Sequence, residues 1–183
     1  APALICGLYA PALEAATRIY DLAKQLRIAQ IFVVANRVRT PHEQAAVEQY
    51  KKVIDLAADL GGRTVIYVAG WQVFGTSRAE AWAFSRDALA KVAAHAAGRQ
   101  VTMVIEPTSA DSNLIDSADD AIALMREVAS PHVQLMFDTY HAIYRNEPST
   151  DYVKRMGRDL KHVHLADAGR AAPSDHGRAD YRG

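Results

Sequence analysis

Three residues of types that bind hard divalent cations stand at the ends of three short apolar runs. Val101-Thr102-Met103-Val104-Ile105 ends at Glu106-Pro107, Val133-Gln134-Leu135-Met136-Phe137 ends at Asp138-Thr139-Tyr140-His141, and the run from Leu160 to Leu165 carries His162-Val163-His164. Glu106, Asp138 and His164 together offer two hard oxygens and one borderline nitrogen. That donor set suits Mn²⁺, Mg²⁺, Co²⁺ or Zn²⁺ in a working site; a structural zinc usually takes cysteine. Singly, each residue has a plainer use: a carboxylate at a strand end caps a helix or accepts a loop hydrogen bond, and a lone His-x-His is commonly sheet surface. Jointly, at the same end of three consecutive strands, they are a candidate metal site, because parallel barrels keep their chemistry at the C-terminal strand ends. Pro107 biases Glu106 toward extended geometry and so holds it in the strand. His162 is assigned to the opposite strand face from His164, as packing or as support for its ring.

The elements that must position these residues can be followed along the chain. Leu4-Ile5-Cys6-Gly7-Leu8 reads as a strand, and Leu13, Ala16, Ile19, Tyr20, Ala23 and Leu26 mark one face of a helix. Ile31 to Ala35 is a second strand, and Thr40-Pro41-His42-Glu43 opens a helix that buries Val47, Tyr50, Val53, Ile54, Ala57 and Leu60 before Gly61-Gly62 closes it. Thr64 to Ala69 is a third strand, followed by the unusually apolar loop Gly70-Trp71-Gln72-Val73-Phe74-Gly75. Ser77-Arg78-Ala79-Glu80 is a capping box that starts an Ala-rich helix stopping at Gly98. Past Glu106 a polar loop runs through Ser109, Asp111 and Asn113, then Ser117 caps a helix from Ala118 to about Val128. A short helix near Asp151 to Met156 precedes the last strand.

Six strands thus begin near residues 4, 30, 64, 101, 132 and 160, alternating with helices, and their continuous apolar runs predict a parallel sheet covered on both faces. An open doubly wound sheet and a (β/α) TIM-type barrel both satisfy that pattern. The first βα turns lack a glycine-rich phosphate cradle, and candidate site residues on several strand ends favour the barrel.

The 183 residues are half apolar, enough for one domain with a sizeable core, and 21 Lys plus Arg balance 21 Asp plus Glu. Zero net charge gives no electrostatic footprint for nucleic acid or for an anionic membrane, and the apolar runs fall far short of the roughly 18 residues of a membrane span. The start Ala1-Pro2-Ala3 lacks the basic region of a signal peptide, so the reading is a soluble, cytoplasmic protein. A single cysteine, Cys6, excludes an internal disulfide and reads as a small buried strand residue.

Glu106-Pro107, Asp138-Thr139-Tyr140-His141 and His162-Val163-His164, with Arg170 six residues on and Pro173, Gly177 and Asp180 beyond, resemble the xylose isomerase-like TIM-barrel superfamily. The sugar-phosphate isomerase and epimerase branch is the nearest, with ketose 3-epimerases, hydroxypyruvate isomerase and inosose dehydratase among its members. The resemblance covers about Leu13 to Tyr181. It implies a divalent metal, Mn²⁺ first, on Glu106, Asp138 and His164. It also implies that Glu106 moves a proton, that His141 bonds a substrate oxygen and that Arg170 holds a polar group of a sugar substrate. The activity implied is a sugar or sugar phosphate isomerase or epimerase, abstracting a proton next to a carbonyl through a metal-stabilised enediolate. The alternatives are a keto-polyol dehydratase of the inosose dehydratase type, a metal-dependent apurinic endonuclease and a non-catalytic barrel fragment. Trp71 and Phe74 either cap the barrel mouth against a sugar or pack on the barrel or a second subunit, and His141 has a structural alternative at the start of the following helix. On this reading residues 1–183 are a single barrel domain holding strands two to seven of eight, in a family that forms dimers or higher oligomers. An acidic residue frequent in the family after the first metal glutamate is replaced here by Ser112, which predicts different substrate contacts from that loop.

Overall fold

The computed structural model describes residues 3–7, 32–36, 43–72, 74–109 and 111–166. Each apolar run becomes a strand: β1 Ala3–Gly7, β2 Phe32–Asn36, β3 Thr64–Tyr67, β4 Thr102–Ile105, β5 Val133–Asp138 and β6 Leu160–His164. All pair in parallel, in the order of the chain. That order separates the two expected solutions. A doubly wound sheet reverses its order at a switch point, whereas unbroken sequential pairing is the arrangement of a barrel wall. Among the described residues, the helices are α1 Glu43–Asp59, α2 Arg78–Gly98, α3 Ala118–Val128, α4 Thr139–Tyr144 and α5 Ser149–Met156. The helix expected over Leu13 to Leu26 and the cap at Thr40-Pro41 lie outside the described residues. No helix among the described residues is long and apolar enough to cross a membrane.

The helices form where local chemistry favours them. In α1 the residues Val47, Tyr50, Val53, Ile54 and Ala57 recur at helical spacing, and all are buried. The helix closes with Gly61 at φ +76° while Gly62 N–H donates to Ala57 and Gly61 N–H to Ala58, the paired bonds of a left-handed C-terminal turn. In α2 the capping box forms as expected, with Ser77 accepting from Glu80 N–H and Glu80 accepting from Ser77 N–H. Its end differs from expectation. Gly98 is still helical, and the left-handed position falls on Gln100 at φ +55°, because Val101 must return to Ala96 to enter the next strand. Ser117 caps α3 as expected, and Ala129 ends it at φ +50°.

Strand alternation divides the sheet into two faces. Val65, Tyr67, Met103, Ile105, Leu135 and Phe137 join the core made with the helices. Ile66, Val104 and Met136 form a separate apolar layer on the other face, with Val68 against it. Two residues further along their strands, on the same face as Val104 and Met136, stand Glu106 and Asp138. The apolar layer is therefore the floor beneath the candidate site, as stacked side-chain layers fill a barrel interior. Tyrosines anchor β3 from the helix side. Tyr50 Oη accepts from Val68 N–H at 3.2 Å, and Tyr67 Oη donates to Ser85 C=O at 3.0 Å.

Candidate metal centre at the strand ends

Glu106, Asp138 and His164 each present a ligand atom, and these atoms all lie within 4.8 Å of one another. Glu106 continues the β4 ladder by donating its N–H to Tyr67 C=O at 3.0 Å, which keeps it in strand geometry ahead of buried Pro107. Asp138 ends β5 and caps α4 at the same time. One oxygen, Oδ1, accepts from Tyr140 N–H at 2.9 Å, and the other, Oδ2, stands 3.8 Å from His164 Nδ1. His164 closes β6 in register with Asp138. The chain past it is held by Thr139, whose hydroxyl donates to Ala166 C=O at 2.6 Å and accepts from Ala166 N–H at 2.8 Å.

The charges explain what the arrangement is suited to hold. Glu106 is 7% exposed, so two carboxylates face one another in partly dry surroundings. Burial and mutual repulsion both disfavour that, and a cation between them offsets the cost. His164 supplies part of the compensation. Its pKa is raised chiefly by the neighbouring Glu106 carboxylate, burial opposes the rise, and the charge of Asp138 adds to it. At 3.6 Å from Glu106 Oε1, Nδ1 is just beyond a formed hydrogen bond, so the three groups are gathered around a common point rather than bonded pairwise. Donors about 2.1 Å from one ion stand about 3 to 4 Å apart. The distances of 3.6 and 3.8 Å fall in that range, and the donor set fits a divalent cation.

His162 corrects the sequence reading. It does not lie on the opposite face: residues two apart on a strand share a face, and the His162 and His164 rings meet edge to face with centroids 4.8 Å apart. In register with Met136, His162 sits one layer below the metal ligands. Burial, and then the charge of His164, lower its pKa.

His141 lies in the first turn of α4, buried, with Tyr140 against its ring edge at 5.1 Å. Its Nε2 is 4.0 Å from Asp111 Oδ2, and its carbonyl accepts from Ser109 Oγ at 2.8 Å. Trp71 is 59% exposed in the β3–α2 loop, at the same end of the sheet as the three ligands. Arg170 lies outside the described residues. Sequence reasoning missed the work of the β4–α3 loop, in which Ser109, Asp111, Ser112 and Asn113 reach both α4 and the Trp71 loop. The signal was a run of short polar side chains directly after a strand-end glutamate. Arg145 and Glu147, in the loop after α4, pair at 2.8 Å, and Arg145 also meets Asp116 at 3.2 Å.

Comparison with known proteins bears on the fold and the family. An L-ribulose 3-epimerase of Mesorhizobium japonicum is 29% identical over 129 residues, covering 68% of this chain and 43% of that protein. A fructoselysine 3-epimerase of Shigella flexneri is 23% identical over 124 residues, covering 67% of this chain and 45% of its own length. The chain thus spans less than half of these curated relatives. A D-allulose 3-epimerase of Methylomonas sp. superposes with a TM-score of 0.80 at 21% identity, over 97% of this chain and 65% of that one, a likeness of fold. Residues 36–183 match the family model of the xylose isomerase-like TIM barrel, and the chain belongs to that family.

Proposed function

We propose that this chain carries the metal and substrate groups of a divalent-metal-dependent sugar, or sugar phosphate, isomerase or epimerase. The observation that carries the reading is the convergence of Glu106, Asp138 and His164 on one point at the ends of β4, β5 and β6. The names of the relatives, all 3-epimerases of ketoses or ketose derivatives, support it. Glu106, Asp138 and His164 would hold the ion, with Mn²⁺ the first choice for two oxygens and one nitrogen. Bound there, it would supply Lewis-acid stabilisation of the enediolate left when a ketose loses a proton next to its carbonyl.

The chain's own groups do the rest. Glu106 takes the proton next to the carbonyl as general base. His141, kept in place by its burial and by Ser109, donates to a substrate oxygen. Trp71 covers the apolar face of the sugar and Arg170 holds a hydroxyl or other polar group. Returning the proton to the opposite face requires a second base, whereas an isomerase that moves it along one face needs Glu106 alone.

The test is proton exchange in heavy water. The Mn²⁺-loaded chain is incubated with D-allulose and with L-ribulose, and loss of the C3 or C1 proton signal is followed by NMR. Exchange in the parent and none in a folded Glu106→Gln variant is the expected result. A chain that binds Mn²⁺ but exchanges no proton with either ketose contradicts the proposal, and loss of water from the substrate would replace it by a dehydratase.

A further inference from the structure

Both neighbours of Trp71 are held by side chains of another loop. On one flank, Ser112 Oγ donates to Gly70 C=O at 2.5 Å. On the other, Gln72 N–H donates to Asn113 Oδ1 at 2.7 Å, and Asn113 Nδ2 donates back to Gln72 C=O at 3.3 Å. The Asn113 amide thus engages both backbone groups of Gln72, much as a neighbouring strand would. Ser112 is 3% exposed, and its hydroxyl also accepts from Leu114 N–H at 3.1 Å and Ile115 N–H at 3.3 Å. One donor and two acceptor sites are everything a serine hydroxyl has. Ser112 therefore has nothing left to offer a substrate, although it occupies the place where an acidic contact was to be expected.

The Asn113 side of the clamp is itself braced. Arg78, at the start of α2, donates to Asn113 C=O at 2.9 Å and to Leu114 C=O at 3.0 Å, and pairs with Asp120 at 3.2 Å. Within the loop, Gln72 Nε2 donates to Thr76 C=O at 2.7 Å. All this bonding fixes the backbone on both sides of an indole that remains 59% exposed. Among the described residues, nothing in the packing of the helices calls for such restraint on an exposed aromatic, whereas a binding platform gains from it, because a preordered side chain loses less freedom on binding.

We infer that Ser112 and Asn113 are positioning residues that hold the Trp71 indole as a preformed platform for the apolar face of a neutral ketose ring or chain at the strand-end centre. The inference rests on the sugar-enzyme reading above, and its test separates the two. The chain has two tryptophans, so Trp82→Phe leaves Trp71 as the one indole reporter. Time-resolved anisotropy without sugar should show Trp71 turning with the whole molecule in this parent. In Asn113→Ala about a third or more of the amplitude should pass to nanosecond local motion, the range of unrestrained exposed side chains. D-Allulose added to the Mn²⁺-loaded parent should quench Trp71, with an affinity about three- to tenfold weaker in Asn113→Ala, the cost of ordering one such segment on binding. The Mn²⁺ affinity should not change. Asn113→Asp keeps the acceptor for Gln72 N–H, loses the donor to Gln72 C=O and should fall between; it takes over the test if the alanine variant fails to fold. Unchanged anisotropy in a folded variant overturns the clamp. A loosened indole with unchanged sugar affinity overturns the platform. A parent that binds Mn²⁺ and no ketose defeats the sugar reading, and the anisotropy then decides the clamp alone.

Discussion

His164 Nδ1 stands 3.6 Å from Glu106 Oε1 although a whole strand, β5, runs between the strands that carry them. Neighbouring strands are about 4.8 Å apart, so the two backbones are separated by about 10 Å. Side chains close that gap only if the sheet curves toward the face they share, as a barrel wall does. Convergence is therefore a property of the curvature and not of any one residue. The expected outcome for His164→Ala is a folded chain whose one-site Mn²⁺ binding, measured by calorimetry on the metal-stripped protein, is weakened at least about 100-fold, since loss of a ligand should exceed loss of a supporting partner. Full retention of affinity would mean that the ion sits elsewhere.

Asp138 divides its two oxygens between folding and the site, with Oδ1 on Tyr140 N–H and Oδ2 toward His164. Substitutions can separate these tasks. Asp138→Asn keeps a cap acceptor and should change stability by no more than about 0.5 kcal/mol while removing most Mn²⁺ affinity. Asp138→Ala should lose the metal equally and cost about a further 1 kcal/mol in urea unfolding. Equal stability of the two variants would show that the cap is energetically idle.

Proton competition at His164 gives a prediction with a definite sign. Without metal, Glu106 and Asp138 favour the imidazolium, so the folded pKa lies above the ordinary value of about 6.5. The stabilisation this provides is complete below the unfolded pKa and is lost as pH rises through the folded one. A metal requires the neutral ring and must expel the proton. The rise in Tm produced by Mn²⁺ should accordingly be small near about pH 6 and grow toward about pH 8, while the His164 contribution in metal-free protein runs the other way. Thermal unfolding at stepped pH, with and without Mn²⁺, reads both. A metal-induced gain that is flat across this window would contradict the assignment of His164 as a ligand.

How far the sequence carried the reading depended on the range of the interaction involved. Strand positions were legible because six apolar runs separated by capped helices leave little freedom, and the triad was legible because Glu106, Asp138 and His164 end three such runs. The clamp of Asn113 on Gln72 was not, since it joins residues 41 apart through a side-chain amide that propensity cannot see. The face of His162 was legible from the two-residue period, and assigning it opposite to His164 misapplied that period. The end of α2 was misplaced because the glycine rule pointed to Gly98, while the strand that follows sets where the chain must turn.

That turn yields the last prediction. Gly61 and Gln100 occupy equivalent places after α1 and α2: Gly62 N–H returns to Ala57 and Val101 N–H to Ala96, in each case five residues back. Glycine adopts the left-handed conformation freely, while a side chain there costs roughly 1 kcal/mol. Gln100 is exposed, so its side chain offers no packing that glycine would forfeit. Gln100→Gly should therefore stabilise the chain by about 0.5 to 1 kcal/mol, and Gly61→Ala should destabilise it by about 1 kcal/mol, both read from urea midpoints at constant slope. Opposite signs are expected because relief of strain at the left-handed position should exceed the added freedom of glycine in the unfolded chain. If Gln100→Gly destabilised the protein, the added freedom of glycine in the unfolded chain would outweigh the strain relieved at φ +55°.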